Sequence, residues 1–93
     1  PGMILSNEPG YYKENEYGIR TENLVVIKEN NNKKLYFEYI SWCPIDLDLI
    51  DSSMLDQIEK HWLNKYHKKV YDTLETYLGN KEKDWLKEVT SEV

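Results

Sequence analysis

The 93-residue chain holds a single cysteine, Cys43. One thiol allows no internal disulfide, so the sequence fits a reducing compartment. With no second Cys nearby, Cys43 reads as a small packing residue rather than a nucleophile. Basic side chains are in the minority, 12 against 17 acidic, for a net charge of −5. That deficit argues against a nucleic-acid surface, which calls for clustered Lys and Arg. Lys33-Lys34 and Lys68-Lys69 are isolated pairs among acids and read as solvated faces. Long apolar runs are missing too. The longest aliphatic run, Leu24 to Ile27, is far too short to cross a bilayer, and no basic-then-apolar leader is present. These absences predict no nucleic-acid partner, no membrane, and a soluble cytoplasmic chain.

What is present is rich in rings, with eight Tyr and three Trp. Large rings with apolar bodies need covering, and so short a chain makes at most one small domain. The chain opens on Pro1-Gly2 and passes at once into an apolar run, with no polar lead-in. We therefore expect a piece cut from a longer polypeptide.

The first stretch, Gly2 to Ile27, places Glu8 and Glu22 at the ends of two apolar runs. Met3 to Asn7 predicts one strand, apolar on both faces like a central, doubly covered strand. Ile19 to Lys28 predicts another, with the turn residues Pro9, Gly10, Asn15 and Gly18 between them. If Glu8 lies opposite Glu22, then Ser6 faces Leu24 and Ile4 faces Val26. Period-two alternation puts Ile4, Ser6, Glu8, Arg20, Glu22, Leu24 and Val26 on one face. Opposed like charges are unfavourable; Arg20 offsets part of the repulsion, and divalent cations could offset all of it. The residues alone leave two readings open: a solvated hairpin mouth, or half of a metal site.

Downstream, Lys13 to Tyr17 reads as an exposed loop and Glu29 to Lys33, with its asparagine run, as a turn. Leu35 to Ile40 predicts a third antiparallel strand. Asp46 to Ser53 is compatible with an edge strand or with an extended connector. Asp56 and Glu59 predict a capping-box helix start. Trp62, Leu63, Tyr66, Val70, Tyr71, Leu74, Tyr77 and Leu78 then form an amphipathic stripe that Gly79 should end as a C′ residue. A short helix capped by Asn80 follows, with Trp85, Leu86 and Val89 on one face and a frayed tail. His61 and His67, six apart, share no helix face and read as surface or packing residues. The expected class is α+β, with an antiparallel sheet followed by a long and a short helix.

The segments Asn7-Glu8-Pro9-Gly10-Tyr11-Tyr12 and Gly18-Ile19-Arg20-Thr21-Glu22-Asn23 resemble the last two metal-ligand motifs of the pita-bread metallopeptidases. Among these they look most like aminopeptidase P (Xaa-Pro aminopeptidase) in its large cytosolic form. Trp62-Leu63-Asn64-Lys65-Tyr66-His67 is similar to a stretch in the C-terminal helix of that form.

The resemblance implies a C-terminal β-part of the catalytic domain over 1–45 and a helical extension over 46–93. It implies a hydrolase using two divalent metal ions, Mn²⁺, Co²⁺ or Zn²⁺, on a peptide with proline second. Glu22 would bridge both ions, and Glu8 would bind one and help relay a proton as the catalytic acid–base. Arg20 and Tyr12 would support those ligands from behind. Two Asp and one His, the family's other ligands, are expected upstream, so the chain alone is expected to be inactive. A homodimer of the parent is also implied. The alternative reading is a pita-bread-like peptide- or protein-binding module without chemistry.

Overall fold

A computed structural model describes residues 1–93, which form two compact units, Pro1–Ser41 and Trp42–Val93. The architecture is α+β, as expected. The first unit is all antiparallel: β1 (Ile4–Asn7), β2 (Gly10–Lys13), β3 (Tyr17–Arg20), β4 (Asn23–Glu29) and β5 (Leu35–Tyr39). Strands β1, β4 and β5 make one sheet in that order, and β2 and β3 pair separately.

The two ladders share one register. Ile4 pairs with Val26 and Asn7 with Asn23; beyond the break, Gly10 pairs with Arg20 and Lys13 with Tyr17. Thr21 N donates to the Pro9 carbonyl at 3.1 Å, bridging the gap. Proline has no N–H to give, which interrupts the ladder without ending it. The ribbon therefore reverses within the expected Lys13–Tyr17 loop, at the Glu14–Glu16 turn, where Asn15 takes a left-handed φ of 60°. Asparagine tolerates that region better than most residues. Gly10 and Gly18, read as turn residues, are thus strand residues, as are Tyr11 and Tyr12.

Two expectations for the sheet are corrected. The single strand Ile19 to Lys28 is divided into β3 and β4 at Thr21-Glu22. β1 is an edge strand whose residues are all exposed, not a doubly covered one; β4 holds the central place and the buried Val25. The β4–β5 hairpin closes over Asn30, whose side-chain Oδ1 accepts from Asn32 N and Lys34 N.

The second unit begins with two single-turn 3-10 segments, Leu47–Leu49 and Ser52–Met54, capped by the side chains of Asp46 and Asp51. Two of the three acids of this stretch, Asp46 and Asp51, are caps, and neither an edge strand nor a plain connector forms. Helix α1 (Gln57–Leu74) opens on a complete capping box: Asp56 Oδ1 accepts from Glu59 N, and Glu59 Oε2 accepts from Asp56 N. A 3-10 turn (Glu75–Tyr77) follows, then α2 (Asn80–Val89). Gly79 has φ −77° and is the N-cap of α2, so it is not the left-handed stop expected, and Asn80 is the first helical residue.

Tyr66, Val70 and Leu86 form the core of this unit, with Trp42, Ile45, Tyr71, Leu74, Leu78 and Val89 packed around them. Tyr77 and Trp85 fall outside it and are exposed. The tail is not frayed, since Val93 N donates to Asn64 Oδ1 at 2.9 Å.

Candidate functional site

The even-numbered face of the β2–β3 ribbon and the break beside it gather the four residues singled out in the sequence. Register on both sides of the break sets Glu8 across from Glu22. Arg20 Nε donates to Glu22 Oε2 at 3.1 Å. The guanidinium also lies within electrostatic reach of the Tyr12 hydroxyl and of Glu8. Glu22, then Tyr12, then Glu8 hold its proton more firmly than usual. Arg20 is thus the hub that Glu8, Tyr12 and Glu22 share. Its ion pair is half exposed and adds little to fold stability.

The opposite face of the ribbon carries Tyr11, Tyr17 and Ile19, with Lys13 at its tip. Tyr11 pairs with Ile19 across the strands, and its ring lies 6.0 Å from that of Tyr17. Alternation therefore separates the face of Tyr12 and Arg20 from the face of Tyr11, Tyr17 and Ile19, as the period of two requires.

Two glycines on the polar face were only partly read from the sequence. Gly10 lies in β2 and not in a turn, and the group that approaches it closely is the Tyr12 ring. A Cβ built on Gly10 would lie 2.7 Å from the Tyr12 hydroxyl oxygen. One built on Gly18 would lie 2.7 Å from Tyr12 Cδ1. The signal was present in the register, because a hairpin that sets Glu8 against Glu22 also sets Tyr12 against Gly18.

Two carboxylates supply hard oxygen donors and negative charge, which suits a divalent cation. No group of three or more His, Cys, Asp or Glu side chains gathers anywhere in the chain. The residues described therefore offer such an ion two carboxylates and no closed cage.

The Trp62–His67 motif serves packing. The Tyr66 ring stacks on Trp62 at 5.4 Å and on Trp42 at 5.8 Å, and its hydroxyl donates to the Cys43 carbonyl at 2.7 Å. Cys43 itself is exposed, contrary to its expected packing role; its carbonyl is what the fold uses. His67 is fully buried and its Nε2 accepts from Ile45 N at 3.0 Å. The neutral ring's proton then sits on Nδ1, which has no partner. Burial lowers the His67 pKa, against a smaller opposing effect of the Ile45 hydrogen bond. His61 is exposed on a groove with Lys65, Lys68 and Lys87. Neither histidine approaches a metal-ligating cluster.

Residues 33–93 match the C-terminal region of peptidase_M24, and residues 1–29 match metallopeptidase family M24. A probable Xaa-Pro aminopeptidase P of Coprinopsis cinerea is 44% identical over 99% of this chain. One of Fusarium vanettenii is 42% identical over all of it. In both cases the chain spans 16% of the relative's length. The crystal structure of X-prolyl aminopeptidase from Caenorhabditis elegans, described as a cytosolic enzyme with a di-nuclear active site, superposes with a TM-score of 0.80. It is 32% identical, covering 97% of this chain and 16% of that one. With one stretch matched to the metallopeptidase and a longer one to its C-terminal region, the chain belongs to peptidase family M24.

Proposed function

We propose that this chain supplies two ligands and their supports to the dinuclear centre of an aminopeptidase that removes the residue before proline. The observation that carries the reading is the shared register, which sets Glu8 against Glu22 and gathers Arg20 and Tyr12 beside them. Residues 1–45 are the C-terminal β-part of the catalytic domain, and 46–93 are the helical extension. Glu22 and Glu8 would hold the two ions, Glu22 as the ligand shared between them, and Glu8 would pass a proton between water and the leaving amine. When bound, the divalent cations polarise the scissile carbonyl and lower the pKa of the attacking water.

The chain's own residues set the geometry for that step. The Arg20 guanidinium holds a Glu22 oxygen in place, so the carboxylate meets its cation already oriented. Tyr12, on the same strand face as Arg20, supports that guanidinium. Mn²⁺ is the proposed metal, with Co²⁺ or Zn²⁺ tolerated by an oxygen-rich site. The substrate is a peptide with proline at its second position, and the parent works as a cytoplasmic homodimer. The 93 residues alone are inactive, because two carboxylates do not make a five-ligand centre.

The test is Glu22→Gln in the full-length polypeptide that carries this segment. Loss of one metal equivalent, with hydrolysis of an Xaa-Pro peptide down at least a hundredfold, is expected. Unchanged metal content and activity would reduce Glu22 to a surface acid and bring the binding-module reading forward.

A further inference from the structure

We infer that Gly18, with Gly10, is a positioning residue: the two glycines form a slot in the polar face that holds the Tyr12 ring flat against the ribbon. The inference rests on the reading of Glu8 and Glu22 as metal ligands and adds to it the feature that fixes their support. Three observations carry it.

Neither glycine is needed for backbone conformation. Only Gly2 among the glycines has a left-handed φ, so alanine could adopt the backbone at positions 10 and 18. Glycine weakens a strand, and two in one short ribbon call for another reason. The reason is space. A Cβ at Gly18 would meet Tyr12 Cδ1 at 2.7 Å and Cε1 at 3.1 Å. A Cβ at Gly10 would meet the hydroxyl at 2.7 Å and Cζ at 2.9 Å. Carbon atoms in contact prefer about 3.5–4.0 Å, so the ring must leave if either Cβ appears. The slot therefore touches both ends of the ring, its first ring carbons and its hydroxyl.

Little else holds that ring. Tyr12 is 65% exposed, so the slot fixes its direction, on the face it shares with Arg20. An alanine at position 18 displaces an exposed ring instead of breaking a core. The hydroxyl then leaves the neighbourhood of the guanidinium that pairs with Glu22. A purely structural role exists for comparison, because an aromatic ring laid over a cross-strand glycine shields the ladder by itself.

A double-mutant cycle separates the two roles. Gly18→Ala, Tyr12→Phe and the double variant are made in the full-length polypeptide, and Mn²⁺ dissociation constants are measured by calorimetry beside melting temperatures. Positioning through the Tyr12 hydroxyl predicts that each single variant weakens Mn²⁺ binding about 10- to 100-fold. The double variant should then bind within about twofold of Tyr12→Phe, because the slot has nothing left to place. The inference is overturned if Gly18→Ala leaves the dissociation constant unchanged while lowering the melting temperature. It is equally overturned if the two effects multiply. Should Gly18→Ala fail to fold, Gly10→Ala, which displaces the hydroxyl from the other end, is put through the same cycle. Failure of the underlying site reading looks different: Tyr12→Phe and Glu22→Gln would then both leave Mn²⁺ binding untouched.

Discussion

Replacing His67 with Gln should flatten the acid limb of the helical unit's stability. The imidazole is fully buried, and its Nε2 accepts from Ile45 N at 3.0 Å. A second proton would have to enter at Nε2, which would set two N–H donors against each other in a site closed to water. Burial accordingly holds the folded-state pKa below the usual 6.5. In the unfolded chain His67 titrates near its ordinary value and takes up a proton that the folded state refuses. Stability is then complete above the unfolded pKa and falls as pH drops below it, until the depressed folded pKa is reached. The slope cannot exceed about 1.4 kcal/mol per pH unit for one group. Between about pH 7.5 and about pH 5.5 the loss attributable to His67 is therefore at most about 1.4 kcal/mol. Glutamine can offer an amide oxygen in place of Nε2 and does not titrate.

The assay is urea unfolding followed by tryptophan fluorescence across that range. All three tryptophans, Trp42, Trp62 and Trp85, lie in the Trp42–Val93 unit, so the signal reports on that unit alone. The difference between the natural chain and His67→Gln should shrink steadily as pH falls. A constant difference would mean that His67 takes its proton equally easily folded and unfolded, and the argument from burial would be wrong.

Two further outcomes follow from other contacts. Tyr66→Phe removes the donor to the Cys43 carbonyl and should lower the stability of the helical unit by about 1 kcal/mol in the same assay. Lys33 holds a φ of 59° at the β4–β5 turn, a region that disfavours side chains. Lys33→Gly should therefore raise the stability of the Pro1–Ser41 unit by roughly 1 kcal/mol, seen by circular dichroism.

Much of the ribbon was legible because its information is local and periodic. A period of two and two carboxylates at matching distances from a reversal were enough to set Ile4 against Val26 and Ser6 against Leu24. The capping box at Asp56 was legible for the same reason, since the bond runs between residues three apart. Other features depend on partners distant in sequence. Nothing near His67 announces that Ile45 will donate to it, and nothing near Asn64 announces Val93. Tyr77 keeps the helical spacing of the stripe, yet the chain has tightened into a 3-10 turn by then and the side chain points to solvent. Gly79 misled because glycine suits both ends of helices; only the backbone angle tells a stop from a start. β1 was misjudged because an apolar strand looks the same whether or not anything covers it.

The single register running through both ladders also limits how the segment can change in length. Adding one residue between Glu8 and Gly10 would carry Tyr12 to the wrong side of the ribbon while Glu8 stayed put. Removing one between Arg20 and Asn23 would part Arg20 from Glu22 in the same way. Residues added at the Glu14–Glu16 tip change neither pairing. Insertions and deletions are therefore tolerated at the end of the ribbon and excluded from its sides, though both are equally open to solvent.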